Sequence, residues 1–306
     1  MQVKNILLLF LAVLLLVPVF LSHAPYYFRI IIMLLFYIAL SQAWNIVGGL
    51  ARQPFIGVAG FLGFGAYMTI LLAKLLLLPP ILTMWIGGVC SLALAVIISP
   101  ILKLRADFLA IGSLTIPGIL YSITYNSEIL GSCNGIAINP DILYSLPLFY
   151  YLGLILTGVL CYIFYRLQKS DFGLRLAAIG CDQDLAEATG ISVFSAKFMA
   201  FLLTAFFTGI LGGFYGYLML AVLPDDVYNL FWGIQLLLIC VIGGIGTVYG
   251  PIIGGAIFFL ASHFIQITFV ELHKLFLGII LIMVVVFFPE GIIGIDWKKI
   301  FSKLKG

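Results

Sequence analysis

The side chains able to do chemistry are gathered in one short stretch. Residues 166–197 read RLQKSDFGLRLAAIGCDQDLAEATGISVFSAK and carry Arg166, Lys169, Asp171, Arg175, Asp182, Asp184, Glu187 and Lys197. The whole chain of 306 residues has only 15 Lys and Arg and 12 Asp and Glu. This mixed-sign pattern suits polar contacts with a partner rather than bond-making, because no nucleophile stands at a useful spacing from a base. No catalytic residues are therefore expected. The five cysteines, Cys90, Cys133, Cys161, Cys181 and Cys240, lie far apart without a CxxC pair, and His23, His263 and His273 are equally scattered. A metal site and a disulfide framework are both unsupported, and no cofactor is expected. The cations form no basic face, so a nucleic-acid partner is not expected either.

The stretch has the local grammar of two short helices. Ser170 or Asp171 can cap a helix through about Ile179, which Gly180 can end. Asp182 or Asp184 can cap a second, shorter helix that ends at Gly190, and Ser192 suits the N-cap of a following long helix. A solvated connector would be polar throughout. Here Leu185, Ala186 and Ala188 alternate with Asp184 and Glu187, as a helix that docks against another protein requires.

The elements that carry this stretch belong in a membrane. Hydrophobic residues make up 64% of the chain and charged residues 9%, with a mean hydropathy of +1.25. A soluble domain carries roughly 25% charged residues, so the fold class is an all-α polytopic membrane protein whose outer surface meets lipid. A span needs about 20 apolar residues. Ten candidates satisfy that length, at 5–22, 27–47, 60–79, 81–100, 108–126, 144–166, 195–220, 229–247, 250–270 and 272–289. The joint near residue 80 rests on Pro79 and Pro80 alone, and 229–270 could hold a re-entrant segment, so eight to ten spans are expected. The N-terminal apolar run is longer than the ~7–15 residues of a signal-peptide core and reads as a first span.

Lys and Arg concentrate on the cytoplasmic side of membrane proteins. With the N-terminus inside, Lys4, Arg52, Lys103, Arg105, Arg166, Lys169, Arg175, Lys197, Lys298, Lys299, Lys303 and Lys305 fall inside. Only Arg29, Lys74 and Lys274 fall outside. Both termini and the 166–197 stretch are thus expected in the cytoplasm. Asp107, Glu128, Asp141, Asp225, Asp226, Glu271 and Glu290 all sit at loops or span edges, and His263 is the one titratable group well within a span. Ion-coupled carriers keep such groups at membrane depth, so a self-sufficient secondary carrier is the less favoured reading. A membrane enzyme lacks a catalytic constellation.

Two glycine-dense segments also lie at membrane depth, one in each half. The first contains Gly48, Gly49, Gly57, Gly60, Gly63 and Gly65; the second contains Gly243, Gly244, Gly246, Gly250, Gly254 and Gly255. Gly246, Gly250 and Gly254 recur every four residues, which predicts one helix face for close packing, and Pro251 suits a first helical turn. Helix packing explains such segments; so do broken helices lining a solute path. Ala205, Gly209, Gly212 and Gly216 form a third small-residue face, which reads as packing.

The block DLAEATGI after FGLRLAAIG resembles the cytoplasmic loop by which ABC importer permeases seat on their ATPases. With NIVGGLARQPFIGVAGFLGFGAY, LKLRADFLAIGSLT, GSCNGI, GGIGTVYGPIIGG and LFLGIILIMVVVFFPEGIIG in the same order, the chain is similar to branched-chain amino-acid permeases of the LivH/LivM type, most of all to the LivM branch. The resemblance implies a single permease domain in a prokaryotic plasma (inner) membrane. Its implied partners are a LivH-like sister permease, two cytoplasmic ATPases, an extracytoplasmic solute-binding protein, a small-molecule solute and membrane lipid. It implies a coupling element at Asp184, Leu185, Glu187, Ala188 and Gly190. It also implies packing or translocation roles for Gly57, Gly60, Gly63, Asn134, Gly135, Gly243, Gly244, Gly246, Gly250 and Gly254.

The chain departs from that family in several places. Arg52 replaces a glycine, Phe55 a serine and Val58 a histidine, while Leu130 and Ser132 stand where threonine and glycine are common. The coupling motif is one residue short before Ala186. A branched-chain or other small amino acid is the expected solute, with urea or a short amide as the alternative.

Overall fold

The computed structural model describes residues 25–76, 78–138 and 145–268, together with Leu275, Gly278, Ile279, Ile282, Met283 and Gly291. The first long helix, α1 (Pro25–Asn45), runs into a π-helical turn at Ile46–Leu50. Then come α2 (Val58–Leu76), α3 (Pro80–Ile98, extended by a 3-10 turn at Ser99–Lys103) and α4 (Ala106–Tyr125). A short strand β1 (Ile136–Ala137) precedes α5 (Leu146–Gln168). The charged stretch forms α6 (Asp171–Cys181) and α7 (Gln183–Ala188) and leads into the long α8 (Val193–Met219). Strand β2 (Ala221–Val222), the single turn α9 (Pro224–Val227), α10 (Phe231–Gly243) and α11 (Gly250–Thr268) follow.

Among the described residues, 8 helical stretches are long and apolar enough to cross a membrane. They correspond to the eight expected spans between residues 27 and 270. The expected span at 5–22 lies outside the described residues, and that at 272–289 lies almost wholly outside them, as do both termini. The 229–270 region resolves into α10 and α11 with a turn between, and Pro80 opens α3.

The packing centre is α8 against α2 and α3, with α1 bridging from α5 on one side to α10 and α11 on the other. Small residues make this possible. Gly65 faces Gly209 across the α2–α8 contact, and Gly212 lies against the Leu62 carbonyl. Lipid tails supply no hydrophobic drive between helices, so close van der Waals approach must supply the attraction. Hydroxyls reach across the same contacts. Ser91 Oγ donates to the Phe61 carbonyl at 3.2 Å, Thr204 Oγ1 to the Ala43 carbonyl at 3.1 Å and Thr157 Oγ1 to the Leu35 carbonyl at 3.1 Å. The outward faces are apolar instead. Val89, Ile97, Phe108, Ile111, Ile119 and Ile123 on α3 and α4 are all exposed, as contact with lipid tails demands.

The two ends of α8 differ. Its N-terminal end receives α6 and α7. Its C-terminal end continues into a two-stranded antiparallel ribbon that pairs Ile136 with Val222 and Ala137 with Ala221. A helix of 27 residues separates these ends by about 40 Å, the thickness of a bilayer with its headgroups.

Candidate functional site

The charged stretch folds because its caps are satisfied locally. Ser170 Oγ accepts from Gly173 N at 3.1 Å and opens α6. Of the two candidate caps for α7, Asp182 takes the role: its Oδ1 accepts from Asp184 N and Leu185 N, both at 3.0 Å. Gly190, at φ +88°, makes the exit turn. Two expectations need correction. Gly180 does not end α6, which runs through it to Cys181; a side chain there would press on Arg52 and the Ala51 carbonyl carbon, so glycine serves close approach. Ser192 occupies the cap position of α8 but makes no capping bond.

Helix α7 has one bound face and one free face. Ala186 is buried, and its carbonyl accepts from Ile191 N at 3.1 Å. Lys197, on the first turn of α8 and 2% exposed, donates from Nζ to Gln183 Oε1 at 2.6 Å. A charge-assisted bond inside the packing ties α7 to the long helix and satisfies the buried ammonium. On the other face Asp184, Leu185, Glu187, Ala188 and Gly190 are all exposed, Leu185 by 64%. The structure therefore brings the expected coupling residues together on one surface. Asp184 already has a partner in the chain, Arg105 Nη2 at 3.3 Å, across a solvent-exposed pair.

Behind α7 lies the first broken helix. After the π-helical turn the chain is irregular through 52–56 before α2 begins. Backbone groups freed there find side-chain partners. Ser113 Oγ of α4 accepts from Ile56 N at 3.0 Å and Gly57 N at 3.2 Å, and Trp44 Nε1 donates to the Phe55 carbonyl at 2.6 Å. Phe55 is fully buried against Phe61 and Phe201, with ring centroids 5.7 and 5.1 Å away. At this position, where the family commonly has serine, the chain fills an apolar core. Arg52, in a family glycine position, is held at φ +48°, and Ser132, in another, at φ +51°. Both substitutions keep the glycine-like backbone, a conformation costing roughly 1–2 kcal/mol for a residue with a Cβ.

The two glycine-broken segments meet. Asn45 Nδ2 donates to the Thr247 carbonyl and Asn45 Oδ1 accepts from Gly246 N, each at 3.0 Å, with Gly49 packed on Gly246. Gln168, at the end of α5, donates to the Gly246 carbonyl at 3.1 Å. A correction applies here too. Gly246 lies in the turn before α11, at φ +73°, so it does not share a helix face with Gly250 and Gly254. Those two allow α11 to approach α10 at Gly244 and Ile239, and Gly243, the last residue of α10, lies directly against Gly250.

Gly57 lies against Ser113, Gly60 against Ile116 and Gly63 against Tyr228, all in close packing. Asn134 and Gly135 fall at the opposite end, beside the β ribbon, away from α7. His263 bonds the Tyr26 hydroxyl at 3.1 Å, level with the start of α1 rather than deep in the bundle. Sequence reasoning passed over Asn45 and Gln42, and named Lys197 only for its charge. Asn45 and Lys197 act through partners distant in sequence. The Gln42 amide is buried in α1 with no hydrogen-bond partner among the described residues; its only signal in sequence was a polar residue in an apolar run.

The family model for the branched-chain amino acid transport system / permease component matches residues 26–285. The chain belongs to this permease family. The high-affinity branched-chain amino acid transport system permease protein LivM of Salmonella typhimurium is 27% identical over 292 residues, covering 85% of this chain and 68% of the relative. LivM of Escherichia coli is 27% identical over 288 residues, covering 84% and 67%. A probable LivH permease of Methanocaldococcus jannaschii is 27% identical over 262 residues, covering 77% of this chain and 81% of its own. No solved structure gives a significant match. The permease is thus a multi-pass membrane protein of an amino-acid transport family.

Proposed function

We propose that this permease is the membrane subunit of an ATP-driven importer for branched-chain or other small amino acids. It works beside a LivH-like sister, two cytoplasmic ATPases and an extracytoplasmic solute-binding protein. The observation that carries this reading is the two-faced helix α7. One face is fastened to α8 through Ala186 and the Lys197–Gln183 bond, while Leu185 and Ala188 stand uncovered on the other. An ATPase groove that takes Leu185 moves α7 as its dimer closes, and α8 carries the motion through the bilayer. The permease itself hydrolyses nothing.

The test is Leu185→Asp in the permease co-expressed with its sister and ATPases. The variant is expected to melt at the wild-type temperature in detergent, because Leu185 touches little within the chain. It is also expected to lose co-purifying ATPase and transport-stimulated ATP hydrolysis by tenfold or more, since a central apolar anchor contributes ~2 kcal/mol or more to an interface. Undiminished ATPase capture would refute the docking role of α7. Solute accumulation by liposomes holding this chain alone would refute the importer reading as a whole.

A further inference from the structure

At the end of α8 remote from α7, an open cavity of about 290 Å³ is lined by Tyr215, Asp226, Asn229, Phe231, Trp232, Gln235 and Gln266. That volume lies near the lower end of the ~300–1,000 Å³ typical of small-molecule sites. Four elements build it: α8 supplies Tyr215, α9 Asp226, α10 Trp232 and Gln235, and α11 Gln266.

Its polar groups are arranged by what they already bond. Asn229 Oδ1 accepts from Phe231 N at 3.0 Å, and Gln235 Oε1 accepts from the Tyr37 hydroxyl at 3.2 Å. With the Asn229 and Gln235 oxygens engaged, their NH2 groups are left to serve a ligand. They are donors, suited to a carboxylate. Asp226 differs from its neighbour Asp225, which faces the Tyr121 hydroxyl on α4. No hydrogen bond or ion pair to the Asp226 carboxylate occurs among the described residues; its own backbone carbonyl instead accepts from Trp232 Nε1 at 2.8 Å, which fixes the turn. Beside it the rings of Tyr215 and Trp232 meet edge to face with centroids 5.6 Å apart, backed by Phe36 and Tyr37. An anion next to aromatic faces is a site for an ammonium group, by charge and by cation–π attraction.

We infer that this pocket is a receiving site for a free α-amino acid zwitterion, its ammonium on Asp226 and its carboxylate on the Asn229 and Gln235 amides. The aromatic wall of Tyr215 and Trp232 takes the apolar side chain. This rests on the importer reading above and adds where the solute enters the permease. A second cavity of about 340 Å³, lined by Arg29, Met33, Tyr37, Phe259 and His263, adjoins it across the Tyr37–Gln235 bond and shares Gln266.

The test measures equilibrium binding of tritiated L-leucine to the purified permease–ATPase complex in nanodiscs, without binding protein, alongside ATP-driven uptake with it. Wild type is expected to bind leucine saturably, and 4-methylpentanoate, which lacks the ammonium, is expected not to compete. Asp226→Asn is expected to raise the leucine Kd roughly 10- to 100-fold, the effect of losing a charge-assisted bond, with the melting temperature unchanged. Gln235→Met is the second variant, expected to raise Kd about tenfold. Import of leucine by a complex that shows no binding of its own, or an unchanged Kd in both variants, overturns the pocket and leaves the importer reading standing. A complete complex that takes up urea or a short amide but no amino acid overturns both.

Discussion

Helix α8 and the short α7 before it use small and apolar residues to opposite ends. In the middle of α8, Ala205, Gly209 and Gly212 disappear into contacts with α2 and α3, and Gly209 has Ser91 and the Gly87 carbonyl at its surface. Before its N-terminus, α7 presents Leu185 and Ala188 to solvent while Ala186 and Gln183 hold its other face to the chain. Both patterns read alike as small or apolar residues among others. The difference lies in whether the chain itself supplies the facing surface. Where it does, the residues hold the bundle together; where it does not, they are left uncovered.

That contrast can be broken in three places. The largest effect is expected from Gly209→Leu. A leucine has no room between α3 and α8, so the variant should lose about 3 kcal/mol, the upper end of typical overpacking costs. Thermal unfolding followed by size-exclusion chromatography in detergent would register this as a strongly lowered melting temperature; a wild-type value would mean that α8 does not pack as described. Next comes Lys197→Met, which keeps the buried stem but leaves Gln183 without its 2.6 Å partner. A stability loss of about 1–3 kcal/mol is expected, with a larger fall in ATPase coupling, because α7 comes loose from α8. Coupling that survives while stability falls would confine Lys197 to packing. The smallest effect is expected from Asp184→Asn. Its pair with Arg105 is exposed on both sides, and such pairs contribute about 0.5 kcal/mol. The melting temperature should not move, so any change in ATP hydrolysis would report contact with the ATPase alone.

Much of the fold was legible in the linear chain. Long apolar runs separated by polar joints mark the spans, because a helix in lipid satisfies its own backbone and needs only length. Ser170 and Asp182 were readable as caps because a cap acts within three residues. The expected coupling residues were readable as one exposed surface, since apolar and acidic residues are mixed through Glu187. Gly180 and Gly246 were misread for a common reason. A glycine signals a turn, a close approach or a shared helix face equally well, and only the neighbour across the gap decides. For Gly180 that neighbour is Arg52, and for Gly246 it is Gly49.

What the chain determines by itself is local: which segments cross the membrane, where the charge collects and where short helices begin. These follow from transfer free energy and from hydrogen bonds a few residues long. The tertiary structure alone decided that Asn45 joins the two glycine-broken segments across about 200 residues of chain, that Phe55 fills a core rather than facing a solute, and that Asp226 and three amides line one cavity. Such contacts depend on packing between helices far apart in sequence. No short-range pattern encodes them, because each residue's partner is chosen by the fold as a whole.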